Sequence, residues 1–505
     1  MKRIDELAKR VAGAVVRGDG AVTVRGIAHD SRAVQPGWLF AALPGARVDG
    51  AQFASQAVAN GAAALLCERA QPVSVPQLVV PDARAALGAI AAAIYGDPAA
   101  SLQVVGITGT NGKTTVAHLL AQALEGLGHP CGVMGTVGHR FGAYRVAASH
   151  TTPEAPVVQQ VLAEMRDRGA THVVMEASSH GLALGRLSGT AFRVAAFTNL
   201  TQDHLDFHGD MATYGAAKAQ LFAQLAPGGT AVVNTDDPFG AALASRISEH
   251  PVLRVSCRPD VAADIRPVRP PAIDSQGIDA DIITPQGVVS LRSPMVGAHN
   301  LSNLLVALGI LVGLGEDAAA GACHWRDCHG APGRLERIPS PLGFAVLVDY
   351  AHTPDALSRI LSALRPLTAG RLICVFGCGG DRDHAKRPLM GRAVAQGADI
   401  AVVTSDNPRT EPPEAIIEMI LPGLDDAGMP RLTWPATPGV RSGYWVASER
   451  ADAIANAIDF AAPGDTIVIA GKGHEDYQIV GTTSHHFDDA AQARAALQQR
   501  KDKGD

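Results

Sequence analysis

The central part of the chain is organised around one glycine-rich segment, Val104-Val105-Gly106-Ile107-Thr108-Gly109-Thr110-Asn111-Gly112-Lys113-Thr114-Thr115. Its apolar run predicts a buried strand over 102–108, followed by a glycine-rich turn and a helix. Such a turn directs several backbone N–H groups and a helix N-terminus at one point, where a triphosphate can bind. Lys113 is then placed to reach the β- and γ-phosphates, and the Thr114 hydroxyl to bind Mg²⁺.

The spacing of this loop differs from the usual phosphate-binding loop. Ile107 stands five residues before Gly112, and the nearest glycine is Gly106. A turn that only connects a strand to a helix is the alternative, but Gly-Lys-Thr between a strand and a helix favours ATP binding. The loop residues expected to bind ATP are Gly109, Thr110, Asn111, Gly112, Lys113, Thr114 and Thr115. The loop does not identify the reaction, because motors, switches, kinases and ligases all contain a loop of this kind.

Length and composition limit the remaining possibilities. The 505 residues predict about three domains, and 47% hydrophobic residues supply several buried cores. A formal net charge of −6 gives no basic field for nucleic acid or an anionic membrane. Seven scattered cysteines form no CxxC pair, which indicates reduced thiols rather than disulfides or zinc. With no apolar signal core at the N-terminus, we expect a soluble cytoplasmic protein that is a monomer.

Short β-branched runs alternate with alanine-rich helical stretches, a pattern typical of α/β layers on parallel sheets. Predicted strands are 37–43, 77–81, 102–108, 172–176, 193–199, 230–234, 345–350, 371–377, 399–404 and 466–470, and predicted helices are 52–69 and 83–95. Short antiparallel strands are predicted over 257–294. We expect a smaller N-terminal α/β domain (1–98), a central ATPase-type parallel-sheet domain (99–336) and a C-terminal Rossmann-like domain (337–505).

The form of the loop from Gly109 to Thr114 resembles that of the Mur ligase family. Further matching motifs follow in order along the chain. They are Asp30-Ser31-Arg32, Thr151-Thr152-Pro153, Met175-Glu176-Ala177-Ser178-Ser179-His180-Gly181, Asn199-Leu200-Thr201-Gln202-Asp203-His204-Leu205-Asp206, His299-Asn300-Leu301-Ser302-Asn303, Gly333-Arg334 and Asp349-Tyr350-Ala351-His352-Thr353-Pro354-Asp355. Gly379-Gly380-Asp381-Arg382, Asp406-Asn407-Pro408-Arg409 and Gly471-Lys472-Gly473-His474-Glu475 resemble most closely the members that add meso-diaminopimelate to UDP-N-acetylmuramoyl-L-alanyl-D-glutamate in peptidoglycan synthesis.

The resemblance implies an ATP- and Mg²⁺-dependent ligase that phosphorylates a carboxylate and couples the acyl phosphate to an amine. Glu176 ends a predicted strand, where ligands gather in open α/β sheets, although a lone Glu there is commonly a solvated cap. By resemblance, Glu176 and Thr114 hold one Mg²⁺ and His204 a second. Lys218 looks like an ordinary exposed helix lysine, and only the resemblance identifies it as a carbamylated residue beside the metals.

The resemblance also assigns the remaining nucleotide and sugar contacts. Asn300 and Asn303 match the adenine-side helix start, and Arg334 is expected to reach the phosphates. Ser31, Ala46, Arg47 and Val48 resemble the uridine-diphosphate site, and His150, Thr151, Thr152, Ser178 and Arg186 the muramoyl-peptide contacts. His150 and Leu184 depart from the family, where Asn and Gln are common, which puts one polar substrate contact in doubt.

The resemblance also implies that one guanidinium selects the amino acid. Meso-diaminopimelate carries a distal carboxylate that lysine lacks, and an arginine reads a carboxylate through two parallel hydrogen bonds. By resemblance Arg409, expected as a buried donor, makes this contact, while Arg382, Asp406, Asn407, Pro408, Gly471 and Glu475 complete the site. An Asn-Pro-Arg turn with a solvated arginine is the alternative.

Three other functions remain open at this stage. A lysine-adding or folylpolyglutamate-type ligase of the same family is opposed by Arg409 and by the muramoyl-side motifs, respectively. A P-loop ATPase switch would turn over ATP without a UDP-sugar substrate. A nucleotide-sugar binding module without catalysis is opposed by the phosphate loop and Glu176.

Overall fold

The computed structural model describes residues 1–45, 48–148, 150–274, 277–328, 330–436 and 439–504. These residues form two compact units. The first contains 1–270, 281–289 and 302–324, and the second contains 271–280, 290–301 and 325–505. Within the described residues, no helix has both the length and the apolar character required to cross a membrane.

The N-terminal part of the first unit has a small mixed sheet. Its elements are β1 Lys2–Arg3, α1 Ile4–Ala8, β2 Val15–Arg17, β3 Thr23–Val24, β4 Ile27–Ala28, β5 Trp38–Ala41, α2 Ala54–Ala59, β6 Ala62–Cys67, β7 Gln77–Val79 and α3 Ala83–Ile94. The strand order is β2-β7-β6-β5-β4, with β4 to β7 parallel and β2 antiparallel. Asp82 caps α3 by accepting the Ala85 N–H, and the alanine-rich face of α3 is buried.

The predicted helix over 52–69 is wrong in its second half. The helix ends at Ala59, and β6 then runs from Ala62 to Cys67. Gly61 has a φ of 97°, which ends the helix and turns the chain. Because β6 is buried between two parallel neighbours, its sheet hydrogen bonds outweigh the helix propensity of its alanines.

The central sheet has eight strands. Its elements are β8 Gln103–Thr108, α4 Lys113–Gly126, β9 Cys131–Gly135, β10 Gly138–Phe141, β11 Tyr144–Val146, α5 Ala155–Asp167, β12 His172–Glu176, α6 Ser179–Ala183, β13 Phe192–Phe197, α7 Leu205–His208, α8 Met211–Ala219, β14 Leu225–Asn234, α9 Pro238–Arg246 and β15 Val252–Val255. The order is β11-β10-β9-β12-β8-β13-β14-β15, and every pair from β9 to β15 is parallel. In register, Glu176 lies beside Ile107 and Phe197 beside Thr108, so three strands end side by side.

The antiparallel segment predicted over 257–294 is confirmed. It contains β16 Arg266–Pro267, β17 Ala272–Asp274, β18 Gly277–Thr284 and β19 Gly287–Ser293, and it is followed by α10 Ala298–Leu314 and α11 Ala318–Cys323. Both β16 and β17 pair antiparallel with β18. The strands β18 and β19 and the helix α10 each contain residues of both units.

The second unit contains a six-stranded sheet. Its elements are β20 Glu336–Ile338, β21 Ala345–Asp349, α12 Pro354–Leu364, β22 Leu372–Phe376, α13 Lys386–Gly397, β23 Ile400–Val403, α14 Pro413–Asp426, β24 Gly443–Val446, α15 Arg450–Phe460, β25 Thr466–Ala470, β26 Tyr477–Val480, β27 Thr483–His486 and α16 Asp489–Asp502. The order is β20-β21-β25-β22-β23-β24, parallel from β21 onward. Apolar clusters cover both of its faces, which confirms the prediction of α/β layers on parallel sheets.

Candidate active site

The phosphate loop joins β8 to α4 as its sequence predicts. Gly112 has a φ of 87°, and a Cβ there would lie 2.3 Å from Oδ1 of Asn303, so only glycine fits this close approach. The ammonium group of Lys113 folds back over the loop and donates to the carbonyl oxygens of Gly109 at 2.8 Å and Thr110 at 2.9 Å. The phosphate loop therefore has a defined conformation, and hydrogen bonds to its carbonyl oxygens hold the Lys113 side chain against it.

The end of β13 fixes the loop from the side. The Asn199 carbonyl accepts the Thr110 N–H at 2.9 Å, and its side-chain oxygen accepts the Asn111 N–H, also at 2.9 Å. The Thr110 hydroxyl donates to the Thr201 carbonyl and lies 3.1 Å from the Tyr214 hydroxyl. Sequence reasoning did not assign a site role to Asn199 or Tyr214, although Asn199 lies in a family motif.

Glu176 ends β12 with a buried carboxylate that is 1% exposed. It accepts hydrogen bonds from the Thr114 hydroxyl at 2.9 Å, the Thr136 N–H at 2.9 Å and the Thr136 hydroxyl at 3.2 Å. Gly135 makes room, because a Cβ there would lie 2.0 Å from Oε1 of Glu176. A carboxylate and a threonine hydroxyl in contact are the hard oxygen ligands that Mg²⁺ prefers, so these residues fit the ion.

Lys218 lies on α8 with a side chain that is 1% exposed. Its Nζ donates to the Gly109 carbonyl at 2.8 Å and lies 4.3 Å from the centre of the Tyr214 ring. The pKa of Lys218 is lowered to about 6, mainly by burial and also by the charge of Lys113, while Asp203 opposes the shift. Both lysine side chains thus converge on one carbonyl oxygen of the phosphate loop.

His204 occupies a more open position. Its side chain is 48% exposed, and its backbone is in the left-handed region with a φ of 52°. Its ring lies 4.7 Å from that of His180 in an edge-on arrangement, and Nδ1 is 3.5 Å from the Asp203 carboxylate. Burial lowers the pKa of His180 and of His208, and His208 pairs with the Ser179 hydroxyl at 3.0 Å. His204 therefore belongs to a histidine cluster beside Tyr214.

The muramoyl-side residues gather around the end of β12. The Thr152 hydroxyl donates to the Glu176 carbonyl at 2.8 Å and accepts the Ser178 N–H at 2.9 Å. Arg186 donates to the Thr152 carbonyl at 3.0 Å and pairs with Glu154 at 2.9 Å. Separately, the Thr151 hydroxyl lies 3.0 Å from that of Thr136, which links it to the Glu176 carboxylate, and His150 is exposed nearby in sequence.

The expected uridine-diphosphate residues lie in the N-terminal part of the same unit. Ser31 is buried, and its hydroxyl donates to Oε1 of Gln56 at 3.2 Å. Val48 is 48% exposed, an open position for an apolar side chain. Ala46 and Arg47 lie outside the described residues.

Two of the predicted nucleotide residues lie in the second unit. Asn300 is buried, and its amide donates to the Val296 carbonyl at 2.9 Å. The guanidinium of Arg334 stacks on the ring of Tyr350 at 4.8 Å. Asn303, on the same helix as Asn300, belongs to the first unit and packs against Gly112.

The residues expected to bind the amino acid follow three neighbouring strands of the second unit. Arg382 follows β22 and is exposed, Asp406, Asn407 and Pro408 follow β23 and are buried, and Gly471 and Glu475 follow β25. The Asn407 amide donates to Glu475 at 3.0 Å. Burial raises the pKa of the Glu475 carboxyl, and the charge of Asp406 raises it further.

Arg409 is half-buried; the burial expected for its guanidinium concerns the complex with the amino acid and stays a prediction. Its backbone φ is 52°, and Nη1 donates to the Gly380 carbonyl at 2.8 Å. A bridge to Val480, the last residue of β26, holds the backbone in this strained form. The guanidinium is thus positioned by a carbonyl of the loop that follows β22.

Lys472 was missed as a site residue, although it lies within a quoted family motif. It is fully buried and donates to Oδ1 of Asn407 at 3.0 Å and to the Tyr477 carbonyl at 2.7 Å, with Asp406 at 3.5 Å. Thr136 was also missed, because the strand Cys131–Gly135 that precedes it was not predicted. In both cases the signal is a polar residue within two positions of the end of a strand of the parallel sheet.

Comparison with known proteins identifies the family. The profile of the Mur ligase family catalytic domain matches residues 23–95, that of the Mur ligase middle domain matches 107–311, and that of the Mur ligase glutamate ligase domain matches 333–473. The chain belongs to the Mur ligase family. Its three-domain mixed α/β fold with parallel sheets is the fold of Mur ligases.

Among Mur ligases, the chain is 47% identical over 506 residues to UDP-N-acetylmuramoyl-L-alanyl-D-glutamate–2,6-diaminopimelate ligase of Gloeobacter violaceus, covering 99% of each protein. A solved structure of a ligase with the same name has a TM-score of 0.73 and 34% identity, again over 99% of each chain. The Mur ligase MurF of Thermotoga maritima in complex with ADP has a TM-score of 0.60 at 18% identity, over 95% of this chain and 99% of that one, which supports the fold alone.

Proposed function

We propose that the chain is an ATP-dependent ligase that adds meso-diaminopimelate to UDP-N-acetylmuramoyl-L-alanyl-D-glutamate in peptidoglycan synthesis. The observation that carries this proposal is the likeness to ligases of that name over 99% of both chains, at 47% identity. Because the likeness extends over the full length, it includes the residues proposed to bind the UDP substrate, ATP and the amino acid, and not the phosphate loop alone. Because the reaction consumes ATP, we place it in the cytoplasm.

The first chemical step is transfer of the γ-phosphoryl group of ATP to the dipeptide carboxylate, which gives an acyl phosphate and ADP. Lys113 and the loop N–H groups stabilise the charge on the phosphoryl oxygens. Glu176 and Thr114 would hold Mg²⁺, which would neutralise charge on the β- and γ-phosphates. Thr136 keeps the Glu176 carboxylate in place through two hydrogen bonds.

Lys218 suits the proposed carbamylation. An amine attacks carbon dioxide only when it is unprotonated, and a pKa of about 6 leaves most of the Lys218 amine neutral at neutral pH. The product would carry a carboxylate in place of a neutral amine beside Lys113. We propose that this carboxylate and the His204 imidazole contribute to a second Mg²⁺ site.

The second chemical step is attack of a diaminopimelate amine on the acyl carbon, with loss of a proton from nitrogen and release of phosphate. We propose that Arg409 receives the distal carboxylate of the amino acid, and that Arg382, Asp406, Asn407, Pro408, Gly471 and Glu475 hold its other groups. The support is that Arg409 is half-buried and that its Nη1 is held by the Gly380 carbonyl.

We propose that each of the three domains binds a different part of the substrates. Residues 1–98 bind the UDP portion through Ser31, Ala46, Arg47 and Val48. Residues 99–336 bind ATP through the phosphate loop, Asn300, Asn303 and Arg334, and the muramoyl peptide through His150, Thr151, Thr152, Ser178 and Arg186. Residues 337–505 bind the amino acid. Since one chain supplies every proposed contact, we expect a monomer.

Mass spectrometry of the reaction product tests this function. Purified full-length protein is incubated with ATP, Mg²⁺ and the UDP-muramoyl dipeptide, together with diaminopimelate, lysine, glutamate or no amino acid. We expect the tripeptide product with diaminopimelate alone, accompanied by ADP. The lysine product would indicate the lysine-adding alternative, and ATP hydrolysis without any amide product would indicate a switch.

The variant Lys113→Ala tests the role of this lysine in the same assay. It should lower product formation at saturating ATP by about a hundredfold or more, because the lost charge acts on the transferring phosphoryl group. Binding of the UDP substrate, measured by calorimetry, should be unchanged. Near-normal turnover at saturating ATP would contradict the role of Lys113.

A further inference from the structure

A second cluster of ligand-type side chains lies in the first unit, at the opposite end of the central sheet from the phosphate loop. His172 is the first residue of β12, and Glu176 is the last. At about 3.3 Å per residue, the two lie roughly 13 Å apart. His129 follows α4, and Glu316 follows α10. These three side chains, the His129–His172–Glu316 cluster, are therefore separate from the proposed Mg²⁺ site.

The three side chains have the spacing of a metal site. Among the described residues they form the one group of histidine, cysteine or carboxylate ligands with all ligand atoms within 4.8 Å of one another. Nε2 of His129 lies 2.9 Å from Oε2 of Glu316, and Nε2 of His172 lies 3.9 Å from Oε1. Ligands around a tetrahedral Zn²⁺ lie about 3.3 Å apart, so side-chain shifts on the order of 1 Å suffice.

Hydrogen bonds fix which nitrogen of His172 can bind a metal. The Thr171 hydroxyl has one hydrogen and donates it to the Pro130 carbonyl at 3.3 Å. A hydroxyl oriented in this way accepts the Nδ1–H of His172, whose Nδ1 lies 2.9 Å from the hydroxyl oxygen. In the neutral ring this leaves the lone pair on Nε2. That lone pair faces the Glu316 carboxylate, an arrangement that a cation between them stabilises.

The cluster is reachable from solvent. His172 and Glu316 line a cavity of about 490 Å³ together with Gln103, Arg193 and Leu314. Two imidazole nitrogens and one carboxylate would leave one position of a four-coordinate Zn²⁺ for water. Nitrogen ligands favour Zn²⁺ over Mg²⁺, because Mg²⁺ prefers oxygen.

We propose that His129, His172 and Glu316 form a Zn²⁺ site that the ligase reaction does not use directly. Bound Zn²⁺ would join the α4–β9 turn, the start of β12 and the end of α10. An ion that binds only the folded state stabilises it, so zinc should raise the melting temperature of the protein.

Calorimetric titration tests the site. Full-length protein is freed of metal with a chelator and titrated with Zn²⁺ in buffer containing a large excess of Mg²⁺, which competes for oxygen-rich sites. We expect one Zn²⁺ per chain and a raised melting temperature. His129→Gln and Glu316→Gln should each weaken binding by about tenfold or more and remove the thermal shift. Both side chains are partly exposed, so the variants should fold.

His485→Ala, which removes an exposed histidine of β27 in the second unit, is the matched control and should bind Zn²⁺ as the wild type does. The proposal is overturned if the wild type binds no Zn²⁺ under these conditions. It is equally overturned if the His129 and Glu316 variants bind zinc with wild-type affinity and stoichiometry.

Discussion

Lys218 places an amine where water cannot hydrate it, between the Gly109 carbonyl and the Tyr214 ring. From the sequence it looks like any lysine on an alanine-rich helix, because its burial arises from the phosphate loop packing over α8. Only the family resemblance singled it out. Its lowered pKa adds a physical reason, since a neutral amine is the form that reacts with carbon dioxide.

We predict that Lys218 forms a carbamate. Protein equilibrated with ¹³C-bicarbonate should give a carbamate carbon signal that is absent from Lys218→Ala and retained in Lys501→Ala, a lysine at the exposed end of α16. Lys218→Ala should lose activity by about 10- to 100-fold or more, and small added carboxylates should restore part of it. A wild type without the signal, together with an active alanine variant, would contradict the prediction.

The same pKa predicts the pH dependence of stability. Lys218 has a folded pKa of about 6 against an unfolded value of 10.5, so between these values the unfolded chain holds a proton that the folded chain lacks. Raising the pH therefore favours the folded state. In buffer free of carbon dioxide, wild type should gain stability relative to Lys218→Met from about pH 7 to pH 10. The free energy of unfolding of each protein is measured with urea across this pH range. If it changes with pH equally in the two proteins, the lowered pKa of Lys218 is refuted.

At the scale of single elements, the ends of parallel strands carry the site. The sequence was sufficient to predict β8, β12 and β25, because buried apolar runs bounded by glycine-rich turns are distinctive. It was insufficient for β9, a strand with two glycines in five residues, and for β6, whose alanines favour helix. Both of these strands depend on pairing with neighbours that are distant in sequence.

The missed strand β9 leads to a prediction about Thr136. Thr136→Val removes the hydroxyl that donates to Glu176 and keeps the backbone N–H contact and the side-chain shape. We expect the KM for Mg²⁺–ATP to rise about tenfold with a smaller change in kcat, because a hydrogen bond to a charged group contributes about 1.5–3 kcal/mol. Thr136→Ser should retain the wild-type KM. Equal kinetics for the valine and serine variants would show that the hydroxyl does not position Glu176.

At the scale of the whole molecule, alternating strands and helices were enough to predict parallel α/β layers, and the composition was enough to predict several cores. The division into two compact units was not predictable, because β18, β19 and α10 each carry residues of both. Arg409 shows the same limit. Its motif was recognisable, but its exposure and its contact with Gly380 depend on loops after three separate strands.

We propose that this molecule joins diaminopimelate to the muramoyl dipeptide and selects it through Arg409. The most direct measurement is kcat/KM for diaminopimelate and for lysine with wild type, Arg409→Ala and Arg409→Lys. Lysine leaves the guanidinium without its carboxylate, so wild type should prefer diaminopimelate by at least about 30-fold.

Arg409→Ala should lose most of that preference while the KM for ATP stays near the wild-type value. Arg409→Lys should recover only part of it, because an ammonium cannot make the two-pronged contact. A wild type that uses lysine as well as diaminopimelate, or an Arg409→Ala variant with an unchanged ratio, would contradict the claim.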